Sequence, residues 1–465
     1  MQVLRDVLTR ARARARQLGR PVLASSSDPV LPLDPLDALA SHPDEPRLYW
    51  ASADRALVLA GIGAAAVVAP SGGRRFAEAG RAAFQLFGDA IAEPAACGPL
   101  LLGGFAFHPD VRPGSAWGAF GASSLVVPRA LVRRRGDDCI VTLSALVSFD
   151  TDVTEAAAAL EALRDRILSA PRSDAATPGI RTTVTDVEPT TEWRALVQRA
   201  VDEIRAQRLE KVVLAREERA PLPEMDVVAA VRHLRDANPG ACVFAVWRGD
   251  GVFLGATPEL LARVHGRDVA TSVLAGSTRR GESAGEDAAL GQALAASAKD
   301  REEHAIVRRE LEAALGAVCE GVQVSARPDL VTLSHVQHLH TPVRARLREG
   351  YSVFDVLERL HPTPAVGGAP RDAALAFIRA HEGIDRGWYA GPVGWSDGTR
   401  AEFAVALRCA LVRERTAHLF AGCGIVAQSD PAAEWDESQL KLRTAIEALS
   451  AGVVEAQGAA AGESR

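Results

Sequence analysis

The stretch ACVFAVWRGDGVFLGATPELL, residues 241–261, decides the fold class. Apolar residues run from Ala241 to Trp247 and again from Val252 to Gly255. Between them Gly249-Asp250-Gly251 is a hairpin signature, because a tight turn needs backbone conformations that glycine and Asp adopt readily. Two strands joined this way are antiparallel. Working outward, KVVLAR (211–216) reads as a strand upstream and Asp268–Leu274 as another downstream. A second hairpin is expected at Phe403–Val412 and His418–Gly422. Trp193, Leu196, Val197, Ala200, Val201 and Ile204 recur at helical spacing, with Thr190 or Thr191 placed to cap the helix. A long helix is expected over roughly Glu286–Leu315 and a last one from near Ala432. Strand groups and helices alternate irregularly, which favours an α+β fold over a doubly wound parallel sheet.

Toward the N-terminus, short apolar runs at Arg47–Ser52, Ala56–Ala69, Leu100–Phe107, Ser124–Pro128 and Cys139–Val147 read as strands. Helices are expected at Arg75–Phe87 and Thr154–Leu168. The small, polar stretch SAPRSDAATPG (169–179) reads as a linker. The chain divides accordingly into an N-terminal part (1–185), a main region (186–455) and a disordered tail (456–465). The first helix is Arg-rich and imitates an organelle transit peptide. Leu4, Val7, Leu8, Ala11 and Leu18 fall near helical spacing, however, and suit a surface helix packed by one stripe.

Composition narrows the function. The 465 residues are 48% apolar and 24% charged, with 53 basic against 59 acidic side chains and a net charge of −6. That is an ordinary globular balance and argues against a nucleic-acid-coating protein. The longest apolar run, Ala56–Ala69, falls short of the roughly 20 residues of a membrane helix. The six cysteines are scattered with no C-x-x-C pair, which fits reduced, mostly buried thiols in a cytoplasmic enzyme.

Several residues could carry chemistry. Lys211 opens a β-branched strand and shares a face with Val213 and Ala215. A lysine facing an apolar layer can serve as a general base. The commoner arrangement for this spacing is a lysine at a strand end reaching to water. Glu259 follows Pro258 and precedes two leucines, so its carboxyl is expected to be partly desolvated and suited to act as a general acid; a surface turn is the competing reading. KDREEH (299–304) lies in the long helix, and Glu434 and Glu437 share a face of the last one. Carboxylates converging from two helices would suit Mg²⁺, while two solvated helix faces would look the same in sequence. His335, His338 and His340 lack the spacing of a zinc set. Arg408 is expected mid-strand, with Ala406 and Ala410 leaving room to fork onto a carboxylate. Gly276-Ser277, Gly367-Gly368 and Gly422-Cys423-Gly424 read as turns that could aim N–H groups at an anion. Base, acid, metal, arginine and anion turns together suit a small dicarboxylate undergoing acid–base chemistry.

The segments KVVLAR (211–216), GATPELL (255–261), LAGSTRRG (274–281), KDREEH (299–304), HVQHLHT (335–341), LHPTPAVGG (360–368), YAGPVGW (389–395) and AGCGIV…SDPAAEWDES…K (421–441) resemble, in order, the chorismate-utilising enzymes. The resemblance covers about residues 190–450 and is weak before that, resting on GGFAF (103–107). It implies a single fold of two large, mainly antiparallel sheets layered with helices. It also implies roles. Lys211 matches the base that activates water for attack at ring carbon 2, and Glu259 the acid that protonates the departing 4-hydroxyl. His338 matches a ring-facing histidine near the leaving group. Glu303 and Glu437 match Mg²⁺ ligands, with Glu434 helping through water. Gly276, Ser277 and Lys441 match neighbours of the metal-held ring carboxylate. Tyr389 and Arg408 match residues gripping the enolpyruvyl carboxylate beside Gly422 and Gly424.

Within the family, aminating members resemble one another in carrying Gln where this chain has Lys211. The aminodeoxychorismate type carries a nucleophilic lysine at the position of Ala275. The feedback motif of the tryptophan-pathway type is not found. Pyruvate-eliminating members tend to have Thr at the position of Ala365. These departures imply an isochorismate synthase, with chorismate as substrate and Mg²⁺ as cofactor. No nucleic-acid, membrane or glutaminase partner is expected, and a monomer is. The N-terminal region leans to the menaquinone type over the siderophore type. The alternatives are a salicylate synthase, an aminating anthranilate or aminodeoxychorismate synthase component, and a non-catalytic chorismate-binding regulator.

Overall fold

The structure, a computed structural model, describes residues 2–110, 112, 114–171, 190–325 and 327–453. Most of the linker stretch, the boundary at 185 and the tail 456–465 lie outside the described residues. Two sheets of 12 and 10 strands dominate, and nearly every pairing is antiparallel. The exception is the parallel pair Val22–Val30 with Ile91–Glu93. Both sheets take strands from the N-terminal and main regions: Arg47–Ala51 pairs with Cys242–Arg248, and Leu101–Phe105 with Pro392–Ser396. The N-terminal strands therefore extend the same two sheets. One apolar core lies between the sheets, containing Phe105, Trp388 and Phe403; a second, with Leu8, Tyr49 and Leu254, lies beneath the helices on the outer face of the larger sheet.

The hairpin around Gly249-Asp250-Gly251 forms as expected, from Cys242–Arg248 and Gly251–Thr257, with Gly249 at φ +57°. The helix Gln2–Leu18 buries Leu4, Val7, Leu8, Ala11 and Ala15 and leaves its arginine side in water. Thr190 caps the helix Thr191–Arg205 through a bond from the Trp193 N–H. Five cysteines are buried, Cys97 is half-buried, and all six are free thiols. Among the described residues no helix is long and apolar enough to cross a membrane.

Three local expectations need correction. The long helix over 286–315 is two helices, Ala284–Ala296 and Ala298–Gly316. Ser297 takes an extended conformation between them (φ −60°, ψ 122°), and its hydroxyl accepts the Asp300 N–H. A serine that caps the following turn competes with helix continuation, which breaks the run there. The strand expected over Phe403–Val412 is also two strands, Arg400–Val405 in the smaller sheet and Cys409–Arg413 in the larger. Arg408 lies in the crossing segment at φ +51°, not mid-strand. Finally, neither Gly276-Ser277 nor Gly422-Cys423-Gly424 is a turn: they lie within the strands Asp268–Arg279 and Thr416–Ile425.

Candidate active site at the seam between the sheets

Two neighbouring strands change sheets together. Gly251–Thr257 belongs to the larger sheet and its continuation Leu260–His265 to the smaller; Arg400–Val405 and Cys409–Arg413 make the reverse crossing. Glu259 sits in the first crossing and Arg408 in the second. Bonds between the crossings lock them side by side: the Thr257 hydroxyl donates to Val405 O (2.6 Å), and Val405 N to Glu259 O (3.0 Å). A cavity of about 60 Å³ opens at this seam. It is lined by every site residue expected from the sequence except Lys211 and Glu434, that is, by Glu259, Gly276, Ser277, Glu303, His338, Ala365, Tyr389, Arg408, Gly422, Gly424, Glu437 and Lys441.

Lys211 is fully buried, and its Nζ lies 2.9 Å from Glu303 Oε1 on the cavity wall. Gly424, also on the wall, separates it from the open space: a Cβ there would meet Glu303 Oε1 at 2.4 Å and Lys211 Cε at 2.8 Å. The Glu259 carboxyl is 5% exposed. Burial pushes its pKa up to about 7, although the charges of Lys211, Arg408 and Lys441 pull it down. The acid thus faces the cavity directly, and the amine reaches its wall through Glu303.

The strand Asp268–Arg279 carries a bulge at this cavity. Its register with Val336–Leu347 shifts between Leu274 and Ser277, so that two residues, Ala275 and Gly276, face the single Leu339. Gly276 takes φ +84°, which side chains resist, and a Cβ would crowd Asp300 at 3.1 Å. The bulge sets Ser277 opposite His338, with Oγ 3.0 Å from Nδ1. Arg408 Nη2, a donor only, lies 3.4 Å from His338 Nε2, so the ring proton belongs on Nδ1, facing Ser277 and Gly276 O. Burial first, then Arg408 and Lys441, lower the His338 pKa to about 3 and keep the ring neutral. His340, next on that face, is only half-buried; among the described residues no group of three or more His, Cys, Asp or Glu side chains is placed to hold a metal.

The three carboxylates expected to bind Mg²⁺ each meet a lysine. Besides the Lys211–Glu303 pair, Lys299 holds Glu434 Oε1 at 2.8 Å and Lys441 holds Glu437 Oε1 at 2.6 Å. Burial and the neighbouring Glu437 raise the Glu434 pKa; for Glu437 the opposing effect of burial is outweighed by Lys441, which holds it below the usual range. Glu434 Oε2 is buried with no hydrogen-bond partner. Hard oxygens on one helix face, one of them orphaned, are the donor chemistry Mg²⁺ takes, although the three carboxylates are not already gathered around one point. Lys299 was not singled out as a site residue from sequence; its signal was its place beside the acidic run of KDREEH.

Tyr389 is buried and stacks on Phe420, ring centroids 5.4 Å apart. Its hydroxyl would lie 3.0 Å from a Cβ at Gly422. Lys441 Nζ donates to Gly422 O at 2.9 Å. The backbone groups of Gly422 and Gly424 point the same way, toward the edge that the strand Cys409–Arg413 leaves open after its last pairing, Cys409 with Phe420. Although they are in a strand, these two N–H groups remain available to an anion. Phe420, Leu407 and Val213 on the wall were missed, since isolated apolar residues give no signal in sequence.

The family model described as "Chorismate binding enzyme" matches residues 8–450. This chain belongs to the chorismate binding enzyme family. It is 41% identical over 457 residues to the salicylate biosynthesis isochorismate synthase of Pseudomonas aeruginosa, covering 97% of this chain and 95% of that one. It is 32% identical over 462 residues to the isochorismate synthase MenF of Bacillus subtilis, covering 96% and 98%. Among solved structures, the menaquinone-specific isochorismate synthase MenF of Escherichia coli superposes with a TM-score of 0.78 at 27% identity, over 96% of this chain and all of that one. For this chorismate-binding chain the match includes the N-terminal third, where sequence motifs were weakest.

Proposed function

We propose that this chorismate-binding protein is an isochorismate synthase, an isomerase converting chorismate to isochorismate. The observation that carries this reading is the buried Glu259 carboxyl, its pKa pushed up to about 7, in a cavity that also holds Arg408, Lys441, Glu303 and Glu437, with the Lys211 amine paired to Glu303 behind the wall. Full-length relatives named for this reaction support it.

In this reading Arg408 and Tyr389, with the amides of Gly422 and Gly424, grip the enolpyruvyl carboxylate. Lys211 takes a proton from a water that bonds to ring carbon 2. Both ring double bonds shift in concert, the bond from carbon 4 to its hydroxyl breaks, and Glu259 gives that oxygen its proton, so one water enters and one leaves. Acid and base each supply roughly 10²–10⁴-fold. His338, neutral and fixed by Ser277, faces the ring near the leaving group. Ala365 and the bulge at Gly276 and Ser277 complete the seat. Glu434, Glu437 and Glu303 are the residues that would hold Mg²⁺, with Lys441 nearby; when bound, the ion supplies positive charge for the ring carboxylate. The enzyme acts as a cytoplasmic monomer without a glutaminase subunit, and its relatives include both menaquinone and salicylate enzymes.

Incubation with chorismate and Mg²⁺, followed by chromatography, tests this. Isochorismate as sole product is expected, with turnover abolished in Lys211→Ala and Glu259→Ala. Salicylate fluorescence without an added lyase would favour the salicylate synthase reading, and ammonia-dependent aromatic amines the aminating one. No product at all would favour a chorismate-binding regulator.

A further inference from the structure

The strand Lys211–Pro221 carries the proposed base, yet its outer edge is almost bare. Its one strand neighbour there among the described residues, Gly368–Ala369, is two residues long and pairs with Lys211 and Val212. Beyond it, the Val213 N–H finds Gly367 O at 2.9 Å, but Val213 O and the Ala215 N–H have no strand to meet. Buried backbone groups without partners are costly, so something must replace the missing strand.

Two side chains do. Glu382 Oε2 accepts the Ala215 N–H at 2.9 Å, and Arg386 Nη2 donates to Val213 O at 2.8 Å. The two lie four residues apart in the loop that follows the helix Arg371–His381 and are joined directly: Arg386 Nε donates to Glu382 Oε1 at 2.6 Å, and Nη2 contacts Oε2. Both side chains are 2% exposed. Arg386 Nη1 also donates to Val366 O at 2.8 Å, and its guanidinium lies over the Phe107 ring. One buried ion pair thus ties together the strand of Lys211, the segment carrying Ala365 and Val366, and the turn leading to Tyr389, all of them cavity walls. The arrangement also accounts for the open glycine amides. Since Val213 and Ala215 commit their backbone groups to the outer edge, Gly424 and Gly422 opposite them turn theirs toward the cavity.

We propose that Glu382 and Arg386 are positioning residues that substitute for a missing strand and hold the Lys211 strand in register at the cavity. This rests on the isochorismate synthase reading. Neither residue touches substrate in it. Lysine at 386 keeps the charge, but one nitrogen cannot occupy the places of Nη1 and Nη2 together.

The experiment measures steady-state kinetics of the full-length protein with chorismate and Mg²⁺ for wild type, Arg386→Lys and Glu382→Gln, alongside thermal unfolding. Arg386→Lys is expected to lower kcat at least tenfold, with KM within about threefold and the fraction folded unchanged at assay temperature. Glu382→Gln, whose amide oxygen can still accept the Ala215 N–H, is expected to retain more kcat than Arg386→Lys. Unchanged kcat in Arg386→Lys, or a loss matching only its unfolded fraction, overturns the proposal. Should the variants not fold, hydrogen exchange of the wild type decides: the residue 215 amide is expected to exchange as slowly as the paired amide of residue 214, and fast exchange overturns the proposal. A wild type that makes no isochorismate overturns the parent reading instead, and leaves the exchange result as the test of the edge.

Discussion

Glu259→Gln separates the acid's chemistry from its cost. The wild-type carboxyl ionises near 4.5 in an unfolded chain and near 7 when folded. Below pH 4.5 it is protonated in both states and has no effect on stability. As pH rises from 4.5 to 7 the unfolded chain gives up this proton and the folded one keeps it, so folding loses stability over that window. Above 7 the loss is complete, at about 3 kcal/mol. Glutamine has nothing to titrate. The variant is therefore expected to gain about 2.5 kcal/mol relative to wild type between about pH 5 and about pH 8. Urea unfolding of both proteins without added metal at the two pH values measures it.

Activity should move the opposite way. In the proposed reaction protonated Glu259 is the competent form, so wild-type kcat/KM is expected to fall as pH rises through about 7, while the variant is expected to lose on the order of 10²–10⁴-fold and show no such limb. A stability difference that stays constant with pH would mean that Glu259 is not held protonated. A variant retaining the limb would assign it to another group.

Gly424→Ala places a Cβ 2.4 Å from Glu303 Oε1 and 2.8 Å from Lys211 Cε. It is expected to lower kcat on the order of 100-fold while chromatographic and circular-dichroism signatures of the fold persist. Arg408→Lys keeps the charge but loses the fork, and kcat/KM is expected to fall about 30-fold, mostly through KM, in steady-state assays with chorismate. Chelation with EDTA is expected to abolish turnover and added Mg²⁺ to restore it, with Glu437→Gln needing more Mg²⁺ for half-maximal rate.

Much of this site could be read from sequence because its parts are local. Alternation places Lys211 on one face of its strand, and Pro258 fixes a turn beside Glu259. The three-residue spacing of Glu434 and Glu437 puts them on one helix face. What escaped is what tertiary structure decides. Val22–Val30 was not foreseen as a strand because VLASSSDPV reads as polar. Its Ser25 and Ser27 are buried only because they meet the hydroxyls of Ser144 and Thr142 across the sheet, at 2.8 Å each. The Arg408 crossing reads as uninterrupted strand because Phe403–Val412 stays apolar in both sheets, and nothing local says that the chain changes sheet. The break at Ser297 has a local signal, but the helical periodicity on both sides of it outweighed a single serine.

That hidden crossing explains why the site lies where it does. A sheet interior has no free backbone groups, and a surface has no burial. Where two strands leave one sheet for the other, Glu259 and Arg408 are buried yet not enclosed within a ladder. The strand Thr416–Ile425, deprived of its neighbour beyond Phe420, turns the amides of Gly422 and Gly424 toward the gap. Polar groups that would be costly without partners are thus concentrated at one point, and in the proposed reading a dicarboxylate ligand satisfies them together. Apolar substitutions elsewhere along the seam would alter stability. Substitutions at the two crossings would alter which anion the protein prefers, because only there do a guanidinium, an acid and two open amides converge.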